Sequence, residues 1–431
     1  MSRELLIESL SDEIREQISN ELELKIEGST FVYTRPKFIY PMNIIGIHAY
    51  IPFAYGRTCV GGPYRCPEKD TYQVTNVNFI GQLRTTQKEI KSEAIIHLNN
   101  YGSTVIAGYP GCGKTSMAIY ISTKIKLQTL IITHRIVLIK QWKEAIHKFC
   151  PDATVQILDA KSVMKKCDFY IMNASNVPKH PLSFYKKIGF VCVDEIHLIM
   201  AEGLSKCMQQ LIPRYVIGLS ATPYREDGLD PLINLYFGTE RICRKLYREH
   251  IVYKVNTKFT PACEIAKNGK INWGSVLDSQ ANSIERNELI VRIVKKFPDN
   301  VFLILVKRIS QGEYLVKRFK EEKEDVTSLL GKQQEYEQKS RILVGTTGKT
   351  SCGFDHPRLN ALILGCDILQ YYIQALGRIF RTIDGVPIVF DLVDKNGILL
   401  KHFNERRAVY IEHGGKIKDF TKEFLDFKSY I

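Results

Sequence analysis

Residues 108–115, with the sequence GYPGCGKT, are the feature of this chain that most limits its fold. The segment fits the spacing G-x-x-x-x-G-K-[ST]; the apolar run STVIA precedes it, and an amphipathic stretch from Lys114 to Lys126 follows it. Glycines let backbone N–H groups surround a phosphate without side-chain clashes, and the positive end of a helix dipole adds to the attraction. The pattern therefore predicts a strand, a phosphate-binding loop and a helix in that order, as in parallel α/β sheets.

Strand and helix patterns alternate along most of the chain from about residue 84. Such alternation predicts a parallel sheet with helices on both faces. A basic stretch at roughly 240–280 interrupts the alternation, which then restarts. The further predicted strands are TLIIT, FVCVD and YVIGLS before the interruption, and VFLILV, RILVGT, NALILG and VPIVFD after it.

Residues 1–80 differ from the rest, because one helical stretch is followed by short β-rich runs broken by Pro and Gly. We therefore predict an α/β fold with two tandem parallel-sheet domains and a small N-terminal α+β appendage. The expected boundaries are an N-terminal accessory region at 1–80, a first domain at 81–250, a connector at 251–280 and a second domain at 281–431.

The charge balance favours a polyanionic partner. The chain has 60 Lys and Arg residues against 46 Asp and Glu residues, which gives a formal net charge of +14. Each phosphate that Lys or Arg neutralises releases condensed counterions, so an excess of this size fits nucleic acid. A basic protein without such a partner is the alternative interpretation.

Cysteine usage and the N-terminal sequence indicate the compartment. The cysteines are scattered singly, and the closest pair, Cys59 and Cys66, lacks the second pair that a zinc site needs. The N-terminus has no signal-peptide core, and no stretch approaches the about 20 apolar residues of a membrane span. We expect a soluble, intracellular protein in a reducing compartment, with no membrane partner.

The loop and an acidic segment together predict a site for ATP and Mg²⁺. Lys114 is expected to reach the β- and γ-phosphates, and the Thr115 hydroxyl to ligate Mg²⁺. In FVCVDEIH, Asp194 and Glu195 follow a predicted strand, at the end where open α/β sheets bind ligands. Asp194 would hold the Mg²⁺ shell and Glu195 would act as general base, with a solvated acidic strand end as the alternative. The other loop residues predicted to bind the nucleotide are Gly108, Tyr109, Pro110, Gly111, Cys112 and Gly113.

The segment QALGRIFR at 374–381 discriminates between classes of phosphate-loop protein. On a helix, Arg378 and Arg381 are three residues apart and share a face. Two such guanidinium groups can reach a γ-phosphate held by another domain, as arginine fingers do; an exposed basic helix is the alternative. The chain has no N-K-x-D motif, which argues against a GTPase, and a phosphate-loop kinase would need no second domain with this segment.

Taken in order, these segments resemble the motifs of the superfamily 2 helicases over about residues 84–391. GYPGCGKT and DEIH match motifs I and II, SAT at 220–222 matches motif III, and QALGRIFR matches motif VI. The resemblance implies two RecA-like domains that use ATP and Mg²⁺ to act on nucleic acid. It also assigns roles to Gln87 in LRTTQ, which would recognise adenine, and to His197 and Gln374 within the catalytic motifs.

Other segments extend the resemblance. GTTGKTSCGFD at 345–355 is similar to motif V, with Gly353 and Asp355 in positions that touch nucleotide and strand. KQWKEAI at 140–146 and the Arg-Glu-Asp element at 225–227 resemble the XPB-like group and the transcript-release DNA helicase of poxviruses and other large cytoplasmic DNA viruses. This implies transcription or replication machinery as partners, and the cytoplasm, in a viral factory or virion, as the location.

Polar residues at the ends of three predicted strands are candidate nucleic-acid contacts. Family members bind one strand mostly through its phosphates, which small hydroxyl, amide and backbone donors suit. Caps of strand-end turns are the competing interpretation. The candidates are Thr133, Arg135, Asn173, Ser175, Thr346 and Thr347.

The expected function is that of an ATP-dependent DNA helicase or translocase. Three alternatives stay open: an RNA helicase, a duplex translocase that never separates strands, and a transcription-complex scaffold whose ATPase is vestigial. The presence of Lys114, Asp194 and Glu195 argues against the scaffold, because degenerate ATPases usually lose one of these groups.

Overall fold

The chain forms two compact units, Met1–Arg244 and Lys245–Ile431, each built around its own sheet. The computed structural model describes residues 2–26, 37–59, 71–109, 111–201, 203–221, 229–244, 246–266, 269, 271–333, 335–350, 356, 358–369, 372–380 and 385–427.

The first unit begins with a small α+β region and continues as an α/β sheet. The N-terminal elements are β1 (Ser2–Leu6), α1 (Asp12–Glu21), β2 (Leu24–Ile26), β3 (Lys37–Ile39), β4 (Asn43–Ile45), β5 (His48–Pro52) and α2 (Tyr55–Cys59). The α/β part comprises α3 (Thr85–Tyr101), β6 (Ser103–Gly108), α4 (Lys114–Ile125), β7 (Thr129–Thr133), α5 (Ile136–Phe149), β8 (Val155–Leu158), β9 (Phe169–Asn173), β10 (Phe190–Asp194), α6 (Ile196–Ile199), β11 (Tyr215–Ser220), α7 (Asp230–Phe237) and β12 (Arg241–Arg244).

The large sheet of this unit has seven parallel strands in the order β12-β6-β11-β10-β7-β9-β8. Its central strands are apolar throughout because helices cover both faces. Val105 and Ala107 pack into one hydrophobic core, and Ile106 between them packs into another. The N-terminal strands form two small antiparallel sheets, β1-β5-β4 and β2-β3.

The second unit contains β13 (His250–Asn256), α8 (Trp273–Asn282), α9 (Ile284–Lys296), β14 (Phe302–Val306), α10 (Ile309–Glu321), β15 (Val326–Leu329), β16 (Ile342–Thr346), α11 (Thr347–Thr350), β17 (Ala361–Leu364), α12 (Tyr372–Ile379), β18 (Ile388–Val393), α13 (Gly397–Glu412), β19 (Gly415–Asp419) and α14 (Phe420–Glu423). Its seven strands are also parallel, in the order β15-β16-β14-β17-β18-β13-β19. The predicted fold class, two tandem α/β sheets behind a small N-terminal α+β region, is therefore confirmed.

The basic stretch at roughly 240–280 contains β12 and β13, and most of β13 falls within the connector predicted at 251–280. β12 pairs with β6 in the first sheet, and β13 lies between β18 and β19 in the second. β13 buries Val252 and Val255 while Lys254 places its ammonium group over the ring of Phe403, at 5.1 Å from the centroid. The basic residues thus alternate with buried apolar ones, so a high charge does not exclude a strand here.

The carboxyl ends of the first sheet's strands bring most of the predicted site residues to one edge. Gly108 ends β6, Asp194 ends β10 and Ser220 ends β11, while Thr133 and Asn173 end the neighbouring strands β7 and β9. Thr133 and Asn173 are direct Cα partners in the parallel ladder. No helix in the described part of the chain is both long and apolar enough to cross a membrane.

Candidate active site

The loop after β6 has the backbone that a phosphate cradle requires. Gly111 and Gly113 both have φ of +88°, in the left-handed region that favours glycine. A Cβ atom on Gly113 would lie 2.2 Å from Nε2 of Gln87, so a larger residue would clash as well as strain the backbone. Helix α4 begins at Lys114, whose Nζ donates a hydrogen bond to the carbonyl oxygen of Gly108 at 2.6 Å. Pro110 lies outside the described residues.

Two side chains from the start of α3 hold this loop from outside. Gln87, only 5% exposed, donates from Nε2 to the carbonyl oxygen of Cys112 at 3.0 Å and accepts from the backbone N–H of Arg84 at 2.9 Å. The Arg84 guanidinium donates to the carbonyl oxygens of Gly111 and Cys112, both at 3.1 Å. Adenine recognition by Gln87 stays a prediction; in this structure its amide packs on the loop backbone. Arg84 was not among the predicted site residues, although its three-residue spacing from Gln87 is that of a capping box.

Asp194, the last residue of β10, is buried and hydrogen-bonded. The indole Nε1 of Trp142 donates to Oδ2 of Asp194 at 2.8 Å. Burial, followed by the neighbouring charge of Glu195, raises the pKa of Asp194 to about 7, against the lowering effects of the Trp142 hydrogen bond and the Lys114 charge. A bound cation would stabilise the ionised form of a carboxylate that is buried in this way. Asp194 and the Thr115 hydroxyl, in the first turn of α4, carry oxygen ligands of the kind that Mg²⁺ prefers, and their binding of the ion stays a prediction.

Glu195 has a strained backbone and a buried carboxylate oxygen. Its φ of +50° and ψ of +58° are left-handed, a conformation that costs a residue with a side chain about 1–2 kcal/mol. Its Oε2 is buried without a hydrogen-bond partner among the residues that the structure describes, and Nδ1 of His197 lies 3.6 Å away. An unfilled carboxylate oxygen at this edge of the sheet can accept a proton from water.

His197 connects the acidic segment with the next strand. Its Nδ1 shares a hydrogen bond of 2.8 Å with the Oγ of Ser220, the residue that ends β11 and opens the SAT segment. The two segments predicted as motifs II and III are therefore in direct contact within the first unit. Thr222, the last residue of the SAT segment, and the Arg-Glu-Asp element at 225–227 lie outside the described residues.

His134 is a second residue that sequence reasoning overlooked. It directly follows β7, and both of its ring nitrogens are buried without a hydrogen-bond partner in the described structure. Burial, with smaller contributions from the charges of Arg135 and His197, lowers the pKa of His134 to about 4. The imidazole is therefore neutral near pH 7 and lies close to the DEIH segment.

The candidate nucleic-acid contacts of the first unit make local turn contacts. Oδ1 of Asn173 accepts from the backbone N–H of Ser175 at 3.0 Å and from its Oγ at 2.8 Å. The Thr133 hydroxyl is buried and donates to the carbonyl oxygen of Arg135 at 3.3 Å. These are the turn caps that the sequence leaves as the alternative, and contact with nucleic acid stays a prediction for all four residues.

In the second unit, the predicted residues lie at the ends of β16 and on α12. Thr346 ends β16 and Thr347 begins α11, and both are half-buried. Gln374 and Arg378 lie on α12, where Gln374 is 7% exposed and its Oε1 has no hydrogen-bond partner among the described residues. The predicted residues Gly353, Asp355 and Arg381 lie outside the described part of the chain.

Comparison with known proteins places this geometry in a family. The family described as the res subunit of Type III restriction enzymes matches residues 80–225. The candidate helicase 161L of Invertebrate iridescent virus 6 is 38% identical over 447 residues, covering 97% of this chain and 100% of that protein. The DNA 3'-5' translocase XPB2 of Sulfurisphaera tokodaii is 23% identical over 340 residues, covering 66% of this chain and 76% of that protein.

The solved structure of S. cerevisiae Dbp5 bound to RNA and ADP BeF3 has the same fold. It superposes with a TM-score of 0.55 and 15% sequence identity, and the match covers 79% of this chain and 92% of that one. The two parallel sheets are therefore RecA-like. With its phosphate loop, its paired carboxylates and a full-length relative in an iridescent virus, the chain belongs to the ATP-hydrolysing helicases of superfamily 2.

Proposed function

We propose that this protein is a DNA helicase or translocase that couples ATP hydrolysis in the first unit to movement along a nucleic-acid strand and to its unwinding. The observation that carries the proposal is the contact between His197 and Ser220, beside the buried carboxylate oxygen of Glu195. This contact joins the segments predicted as motifs II and III, next to the residue that would activate water. The DNA 3'-5' translocase activity in the name of the Sulfurisphaera tokodaii relative supports DNA as the substrate, and the net charge of +14 supports a polyanion.

Four side chains of the first unit share the work of hydrolysis. Lys114 exchanges its bond to the Gly108 carbonyl oxygen for contacts with the β- and γ-phosphates. Glu195 takes the proton of the attacking water on its carboxylate. Thr115 and Asp194 would hold Mg²⁺, which when bound neutralises charge on the phosphate oxygens.

Movement requires the second unit to sense the γ-phosphate. We assign that role to Arg378 and Arg381, on the strength of the QALGRIFR motif. ATP would draw the two units together, and loss of the γ-phosphate would release them, so that one unit shifts along the strand. Gly353 and Asp355 would couple nucleotide to strand, and the strand itself would lie on residues Thr133, Arg135, Asn173, Ser175, Thr346 and Thr347.

The biological setting is proposed from the relatives. The full-length iridescent virus relative supports a role in a large DNA virus, in transcript release or replication with the corresponding machinery as partner. The site of action would then be the cytoplasm, in a viral factory or a virion.

One experiment separates this proposal from its alternatives. Purified protein is given 3'-tailed, 5'-tailed and blunt duplexes of DNA and of RNA, and both ATPase rate and strand displacement are measured. Stimulation and displacement with a tailed DNA duplex support the proposal. Stimulation by blunt duplex without displacement indicates a duplex translocase, an effect of RNA alone indicates an RNA helicase, and binding without any stimulation indicates a scaffold.

A further inference from the structure

Trp142 is a buried aromatic residue whose indole N–H donates a hydrogen bond to a residue of the candidate active site. It is one of two tryptophans in the chain, it lies on α5, and it is 2% exposed. Its ring packs in the same core as Ile139 and Ile146 of the same helix. A buried indole N–H needs an acceptor, and here the acceptor is the Asp194 carboxylate at 2.8 Å.

In this hydrogen bond Trp142 is always the donor and Asp194 always the acceptor, which affects how Asp194 could bind a metal ion. An indole N–H can donate a hydrogen bond but cannot accept one, so it favours the ionised carboxylate over the protonated acid. It also fixes one of the two carboxylate oxygens, Oδ2, which limits rotation of the group about its own bond. Carboxylates that bind metals in proteins are held by hydrogen bonds of this kind from outside the coordination shell.

We propose that Trp142 is a positioning residue for the divalent cation of the ATPase site, because its indole N–H holds Asp194 in the orientation that the metal requires. The proposal rests on the cation-binding role of Asp194 within the proposed function. Trp142 itself does not touch nucleotide or metal; it acts only through Asp194. Apolar packing alone needs an aromatic ring but no N–H group, which gives the proposal its test.

The test is the Trp142→Phe variant, which keeps an aromatic ring in the core and removes the N–H. Mn²⁺ serves as the spectroscopic probe, and its binding in the presence of ADP is measured by electron paramagnetic resonance. Loss of a group that supports a metal ligand typically weakens metal binding by about 10–100-fold, and we expect a Kd increase in that range. ADP binding measured in EDTA should stay within about twofold of the wild-type value, since the loop is unchanged.

Two further variants control for folding and for the aromatic substitution. Trp273→Phe replaces the other tryptophan, which lies on α8 in the second unit and is 37% exposed, and it should leave Mn²⁺ affinity unchanged. Replacement of Trp142 by benzothienylalanine keeps the size of the indole and exchanges only the N–H for sulfur, so it should weaken Mn²⁺ like Trp142→Phe even if the phenylalanine variant folds poorly. In the Trp273→Phe protein, Trp142 is the remaining tryptophan, and its fluorescence should change when Mg²⁺ and ADP bind.

The outcomes are distinct. Weakened Mn²⁺ binding with intact metal-free ADP binding supports the role of Trp142. Folded variants that bind Mn²⁺ as the wild type does, or that lose metal-free ADP binding to the same degree, overturn it. Asp194→Asn in the same assay distinguishes failure of the inference from failure of the proposed function. If Asp194→Asn also keeps full Mn²⁺ affinity, the cation-binding role of Asp194 in the proposed function is wrong. If only the Trp142 variants keep full Mn²⁺ affinity, the inference about Trp142 alone is wrong.

Discussion

Lys114 occupies the mouth of the phosphate loop with its ammonium group on the carbonyl oxygen of Gly108. Replacing it with alanine removes the positive charge that the γ-phosphate would meet in the transition state. We expect Lys114→Ala to lower the ATPase kcat by about 10²–10³-fold, the usual loss for one stabilising donor. Lys124→Ala, at an exposed position on the same helix, is the matched control and should hydrolyse ATP normally. Wild-type turnover by Lys114→Ala would refute the site.

His134 predicts a pH dependence of stability. Its pKa is about 4 in the folded protein and near its ordinary value of 6.5 in the unfolded chain. Because the folded pKa is lowered, the unfolded state binds the proton first as the pH falls. The stability associated with neutral His134 is thus complete above pH 6.5 and is lost as the pH falls through 4.

The measurement is Tm against pH for the wild type and for His134→Leu. At pH 7 the variant should be at least as stable as the wild type, because it removes two buried nitrogens that have no hydrogen-bond partner in the described structure. Its advantage should grow as the pH falls from about 6.5 towards 4. His147→Leu, an exposed histidine on α5, controls for simple loss of an imidazole. A variant that parallels the wild type at every pH would contradict this reasoning.

The part of the site that the sequence predicts is the part made from neighbouring residues. Gly108–Thr115 and the Asp194–Glu195 pair work through local backbone geometry, so spacing alone reveals them. Arg84 and Trp142 reach the site across 28 and 52 residues of chain, and only the packing of α3 and α5 on the sheet brings them there. A single amino-acid sequence carries no signal of contacts between residues so far apart along the chain.

At the scale of single elements, the N-terminal cap of α13 offers a direct test of local stability. Asn396 accepts hydrogen bonds on Oδ1 from the backbone N–H groups of Ile398 and Leu399, at 2.9 and 3.3 Å. Asn396→Ala leaves these groups without their side-chain acceptor and should cost about 1 kcal/mol of unfolding free energy. Asn396→Asp keeps the acceptor and should keep most of the stability in the same chemical denaturation. Equal loss in both variants would assign the effect to something other than the cap.

The sequence predicted the strands that consist of a continuous apolar run, and it missed those in which basic residues interrupt the apolar ones. The apolar runs of β6, β7, β10 and β14 coincide with strands, because parallel strands covered on both faces are apolar throughout. β12 was missed because two arginines flank its one buried residue, Ile242, and β13 because Lys254 lies between the buried residues Tyr253 and Val255. Arg244, for example, forms an ion pair with Glu93 of α3, which compensates its charge at the edge of the sheet.

At the scale of the whole molecule, the second unit depends on buried charges of its own. Arg406, which is 2% exposed, forms ion pairs with Asp391 at 2.8 Å and with Asp367 at 3.0 Å. Removing one partner leaves buried carboxylates without their counter-charge, which typically costs about 3–5 kcal/mol. We expect Arg406→Met to lower the unfolding transition of the second unit.

Calorimetry without nucleotide shows whether Arg406→Met lowers the unfolding temperature of the second unit alone or of both units. The two units have separate cores, so the transition of the first unit should stay in place while that of the second moves to lower temperature. Arg407→Met, the exposed neighbour on the same helix, should leave both transitions unchanged. A single transition shifted as a whole would mean that the units unfold as one.

The net positive charge of the whole molecule predicts that its binding to nucleic acid depends on salt concentration. If the protein contacts about five phosphates of a single strand, its affinity should fall about 100-fold between roughly 50 and 200 mM salt. Fluorescence anisotropy of a labelled oligonucleotide at several salt concentrations gives the slope. Binding that does not respond to salt would contradict a phosphate-based grip and the interpretation of the +14 charge.

The place of β13 in the second sheet also bears on how the protein is made. Its two neighbours in the sheet, β18 and β19, are the last strands of the unit to be synthesised. At about 5–20 residues per second, a ribosome needs roughly 10–30 s to proceed from Asn256 to Gly415. Until β18 is synthesised, the apolar side chains of β13 have no neighbouring strand, and one edge of β13 stays unpaired until β19 follows. We therefore expect the nascent second unit to need chaperones until Gly415–Asp419 has been synthesised.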